Sequence, residues 1–184
     1  MSVFSLFGKK RLKEEYVAKV FVSTINGLAM ESFPILKDYL NDVPELKCSP
    51  EIEDNQLEWF LYIVFSANLY HLKDHFDTDQ HNRMRILVID EFIESLEDQS
   101  HDKVLSHINL YEDYVAGLDR SQSDDLGRIM ALAIFQKYGL NKCQDDHFQN
   151  INQPNPTIIK AISEITDSFI WNWDDLLGNF KLVA

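Results

Sequence analysis

His71 and His75 are the residues of this chain whose types and spacing come nearest to chemistry. They lie in the stretch YHLKDHFDTDQH, Tyr70 to His81, which holds three histidines and three aspartates. On a helix, positions four apart fall on one face, and Asn68 shares that stripe, which continues upstream as Leu57, Leu61 and Val64. Two imidazoles so placed can grip a metal ion. The patterns that would complete such a centre are missing. A zinc-peptidase helix needs Glu directly after the first histidine, where this chain has Leu72. A di-iron carboxylate bundle needs Glu three residues before His, and none of the six histidines has it. An EF-hand reading of DTDQHNRMRILV fails at Asn82, where Gly belongs, and at Val88, where Glu belongs.

A helix junction accounts for the same residues. Histidines in a last turn complement the negative end of a helix. Asp77 followed by Gln80 forms a capping box for the next helix. His71 and His75 are therefore expected to be structural, with no metal or cofactor held. Asn68, His71 and His75 are the residues of an alternative reading, a helical metal- or small-ligand-binding protein, with or without enzymatic activity.

Other constellations are weaker. Cys143 and His147 have the types of a nucleophile and its base, but Asp145 and Asp146 beside them oppose thiolate formation. None of the six glycines builds a phosphate-cradling loop, and no serine sits in a nucleophile elbow. Cys48 and Cys143 show no paired spacing, which reads as two free thiols in a cytoplasmic protein.

The elements that position these residues read as helices throughout. A first helix runs from Leu12 to about Met30, carrying Tyr16, Val17, Val20, Phe21, Ile25 and Leu28. Ser32 and Pro34 then open a short helix to Leu40. After the acidic connection NDVPELKCSPEIEDN, Asp54 or Asn55 caps a central helix over about 56–76, apolar around most of its circumference. A helix over about 79–97 has Ile86, Ile89, Ile93 and Leu96 on its core line, and one over about 101–118 has Leu105, Ile108, Tyr111 and Val115 inward. Ser123 caps a helix ending at Tyr138, where Gly139 supplies a left-handed stop. Asn155-Pro156 starts the last helix, to about Trp171. NKCQDDHFQNINQPN is the longest loop. The expectation is an all-α, single-domain bundle of about seven helices spanning 1–184, with a basic N-terminal arm (1–13) and an apolar C-terminal tail (172–184). Trp171, Trp173, Leu176 and Phe180 make that tail apt to close the core or to anchor a partner.

Charge bears on function. The chain carries −13, and with the +4 of Lys9, Lys10, Arg11 and Lys13 set aside the remainder carries −17. That sign repels nucleic acid and favours a basic partner protein. The acids placed on one surface are Asp90, Glu91, Glu94, Glu97, Asp98 and Asp102. The expected function is an acidic, non-enzymatic protein-binding module: an inhibitor, an immunity-type factor or an adaptor. No stretch has the length and apolarity of a transmembrane helix. The arm offers a peripheral-membrane alternative through Phe4, Leu6 and Phe7 with Lys9, Lys10 and Arg11, which the acidity of the body opposes.

Overall fold

The structure, a computed structural model, describes residues 9–96, 100–122 and 125–184. Phe4, Leu6, Phe7, Glu97, Asp98 and Ser123 lie outside the described residues. The chain is all-α, and its architecture follows from one helix. In α2 (Leu57–His71), Phe60 to Leu69 are buried without interruption, so neighbours must cover every side. Those neighbours are α1 (Glu14–Asp42), α4 (His101–Gln122) and α5 (Leu126–Lys137). α3 (Thr78–Ser95) packs on α1, and α7 (Pro156–Thr166) covers α5. Each large apolar side chain buried this way contributes roughly 1.5–3 kcal/mol. Phe21, Phe60, Phe65 and Phe92 fill the centre, with Phe21 edge-on to Phe65 and Phe65 stacked on Phe92. α5 approaches α7 so closely at Gly127 that a Cβ there would collide with the Asp167 carboxylate.

Several local expectations are corrected. α1 does not break at Ser32–Pro34 but runs 29 residues through it. Pro34 removes one backbone donor, yet it faces solvent, while Phe33 and Leu36 beside it hold the helix against the body. On α3 the core line is Met84, Val88, Ile89 and Phe92, and Ile86 is 57% exposed. Tyr16 and Leu28 of α1 are exposed as well. Glu53, rather than Asp54 or Asn55, caps the entry to α2, through a 3-10 turn (Asp54–Gln56). α2 stops at His71, and a 3-10 turn (Leu72–Asp74) completes the junction. Asp77 caps α3 by accepting from the Gln80 amide, but the Gln80 side chain turns to Glu14 instead of closing the box. Asp125 caps α5. Gly139 is left-handed at φ 64° after α5, and Asn155-Pro156 starts α7, both as the sequence indicates.

The long loop contains α6 (Asp146–Ile151), and α7 ends at Thr166, well short of Trp171. The tail forms α8 (Trp173–Asn179) and then β2 (Phe180–Val183). β2 pairs in parallel with β1 (Lys10–Lys13), part of the basic arm, so the tail closes the core and the two ends of the described chain meet. These four-residue strands carried no usable alternation. Trp173 is buried against Phe21 and Phe76.

Cys48 and Cys143 form a disulfide between the α1–α2 connection and the turn after α5, with Cα atoms 4.9 Å apart. The free-thiol expectation is thereby overturned, and the cytoplasmic one loses its main support. The pairing was hidden because 95 residues separate the two cysteines, and nothing local marks a bridge that long. In the chain-entropy account, closing a loop of this length removes denatured-state freedom amounting to about 4–5 kcal/mol. The unreduced protein should show no reactive thiol when denatured and two after reduction, and reduction should lower its urea midpoint.

Glu14, at the first turn of α1, is 2% exposed and accepts from Arg83 Nε and a terminal guanidinium nitrogen, and from Gln80 Nε2, all at 2.9 Å. The Arg83 hydrogen bonds hold its carboxyl below the ordinary value, with Gln80 adding to them and burial opposing. A depressed carboxyl contributes stability above its unfolded pKa, and that contribution is lost as pH falls through the folded value. Acid melts of the wild type should therefore lose stability below about pH 4.5 more steeply than those of Glu14→Gln.

Candidate functional site

The polar stripe of α2 divides when its partners are traced. Asn68 is buried, and its side chain is fully committed. Nδ2 donates to the Val64 and Phe169 carbonyls, and Oδ1 accepts from the Trp171 amide, each at 2.9 Å. It fixes the turn that leads into α8.

His71 and His75 are brought together, although one ends α2 and the other follows the 3-10 turn. Their Nε2 atoms lie 3.0 Å apart. Each Nδ1 faces a carboxylate at 3.0 Å, Asp74 for His71 and Asp174 of α8 for His75. The chain Asp74–His71–His75–Asp174 contains three hydrogen bonds and four ring nitrogens. The carboxylates only accept, so with each Nδ1 donating to its carboxylate the two Nε2 atoms are left facing one another. The side chains remain accessible, His71 at 30% and His75 at 12%. Among the described residues no group of three or more His, Cys, Asp or Glu could hold a metal, so this pair offers two protein ligands.

The acids expected on one surface are partly assembled. Asp90, Glu94 and Asp102 are exposed and Glu91 is half-buried. Asp90 and Asp102, from α3 and α4, lie 4.0 and 3.9 Å from opposite nitrogens of His101. Ile86 stands one turn before Asp90, on the same exposed line, instead of in the core where the sequence reading set it. Cys143 is consumed by the disulfide, which removes it as a nucleophile for His147. In the arm, Lys9 donates to the Leu177 carbonyl, and Lys10 and Arg11 are exposed. No described helix is long and apolar enough to cross a membrane.

A second cluster escaped the sequence reading. Tyr62 is buried with its hydroxyl unpartnered, and so are Glu58 Oε1 and His107 Nδ1 nearby. The His107 ring lies between Trp59 and Tyr62, at 5.0 and 4.9 Å, and Lys137 Nζ sits 3.2 Å above the Trp59 ring. Burial first, then the Glu58 charge, pushes the Tyr62 phenol up, but no hydrogen bond closes between their atoms. Burial also pushes His107 and Lys137 down. A depression of about 340 Å³ opens beside Lys137, lined by Leu110, Tyr111, Tyr114, Ala133 and Gln136. Lys137 lines it as well, whereas Glu58, Tyr62 and His107 are not among its lining residues. Glu58 and Tyr62, four apart on the apolar first half of α2, are the signal that could have pointed to this cluster.

Comparison of the chain with known protein families, curated proteins and solved structures returns no match.

Asn68→Ala should destabilise strongly, because it leaves the Phe169 carbonyl and the Trp171 amide without their partner, at about 1–3 kcal/mol each. Urea unfolding measures it. Asn68→Asp keeps the acceptor for Trp171 but loses the donor, and should recover only part of the loss.

Proposed function

We propose that this chain is an acidic protein-binding module, an inhibitor, immunity-type factor or adaptor, that docks a basic partner on the outer face of α3. The observation that carries the reading is the exposed line Ile86, Asp90, Glu94, in which a large apolar side chain, 57% exposed, is followed by two solvated carboxylates at successive turns. Asp102 adds a third carboxylate from α4 across His101. An apolar anchor followed by carboxylates suits a partner that presents an apolar pocket beside lysines and arginines. A depression of about 260 Å³ beside Ile86, lined by Glu14, Glu15, Arg83, Leu87 and Ala184, gives the anchor a concave flank.

Several of the chain's cations are already occupied internally. Arg83 is held by Glu14, Arg85 by Glu112 and Lys37 by Asp54. The field of the α3 face is therefore not cancelled by them. A net −13 body can raise encounter rates with a basic protein by about 10–10³-fold at low salt.

A basic protein should be recovered from the native cell by the immobilised chain at low salt and released as salt rises. The variant Asp90→Lys with Glu94→Lys should lose that capture while melting near the wild type. Ile86→Ala should raise the off-rate while leaving the salt dependence in place. Unchanged, salt-insensitive capture by the charge-reversed variant would remove α3 as the docking face.

A further inference from the structure

We propose that His71 and His75 form a two-histidine site for a divalent transition-metal ion, oriented by Asp74 and Asp174. The inference goes beyond the partner-binding reading and uses none of its residues.

The first ground is convergence. Two Nε2 atoms bound to one tetrahedral ion at about 2.0–2.1 Å stand roughly 3.3 Å apart. Here they stand 3.0 Å apart, so a few tenths of an ångström and a small ring rotation admit the ion. The rings are already nearly perpendicular, at 84°, which lets both lone pairs turn toward a common point outside the line joining them.

The second ground is independent of the first. Metal-binding histidines almost always direct their other ring nitrogen to a carboxylate or a carbonyl, which fixes the tautomer and raises ligand basicity. Both histidines do this, at 3.0 Å. Asp174 reaches His75 from 99 residues away, so the arrangement is a product of the fold and not of one helix.

Charge closes the account. Two neutral imidazoles and the two carboxylates behind them sum to −2, which a divalent ion balances. Imidazole donors suit copper, nickel and zinc and do not suit magnesium or calcium. With two protein ligands the other coordination positions belong to water, and the exposure of His71 supplies the path of entry. The affinity order expected is copper above nickel and zinc.

The test is titration of untagged full-length protein with copper(II), nickel(II) and zinc(II) salts, read by calorimetry and, for copper, by electron paramagnetic resonance. One copper per chain should bind with the hyperfine pattern of two imidazole nitrogens, and the wild-type melting temperature should rise with metal concentration by mass action. His71→Gln and His75→Gln should each lose the two-nitrogen signal while keeping the wild-type circular dichroism. Asp174→Asn should bind about 10–100-fold more weakly, and His147→Gln, far from the pair in sequence and exposed, should bind as the wild type does. Absence of binding in the wild type, or copper binding with the same signal in both histidine variants, would overturn the proposal.

Discussion

Asn68 is the residue on which the second half of the molecule depends. It projects from a helix whose middle is entirely buried, where an amide without partners would be costly. Its partners are the Phe169 carbonyl and the Trp171 amide, about a hundred residues downstream. Because two hydrogen bonds define the position of that backbone, the chain leaves the core at one point and in one direction. Trp173 then falls against Phe21 and Phe76, α8 starts under the Asn172 cap, and β2 reaches β1. Asp174 is carried to His75 by the same placement. The Asp174–His75 contact is thus a consequence of a polar residue placed earlier on α2.

Electrostatics divides the surface into two kinds of region. Where Arg83 meets Glu14 and Arg85 meets Glu112, opposite charges join elements and are partly withdrawn from water, which strengthens them relative to exposed pairs. Where Asp90 and Asp102 face a single His101 at about 4 Å, two acids from different helices gather around one titratable ring. Such a gathering adds nothing to the buried line of α3, which Met84, Val88, Ile89 and Phe92 form. Solubility explains any acid singly. Ile86, 57% exposed, stands in line with Asp90 and Glu94.

What was legible in the sequence is what periodicity and capping control. The burial of α2 was visible in WFLYIVFSANLY because an apolar run with no polar face has nowhere to go except the centre. Gly139 and Asn155-Pro156 were visible because a left-handed stop and a prolyl first turn are chemistry of one or two residues. Pro34 misled for the opposite reason. Its local rule is sound, but Phe33 and Leu36 hold both halves of α1 on the body, and tertiary packing outweighs one missing hydrogen bond. Ile86 misled because four isoleucines and leucines in α3 looked like a core line, whereas Met84, Val88 and Phe92 keep the stricter four-residue interval. The disulfide, the β1–β2 pair and the Asp174–His75 contact were illegible together, since each joins segments 95 or more residues apart and leaves no local pattern.

Those long ties share a direction that bears on how the site forms. Cys143 meets Cys48, Trp171 meets Asn68, Asp174 meets His75, and Leu182 meets Leu12. Each brings a late segment onto an early one, and loop-closure entropy rises only logarithmically with length, so the longest tie costs little more than the shortest once the helices between them are packed. The segment after Thr166 consists of short elements, a 3-10 turn, seven residues of α8 and four of β2, none of which is stable as an isolated helix or strand. It can hold its structure only when docked on α1 and α2. His71 and Asp74 are set by the α2 junction alone, whereas Asp174 arrives with the docked tail. A ligand gripped by both histidines would therefore bind most tightly to the state in which the tail is closed, and by reciprocity it would stabilise that closure.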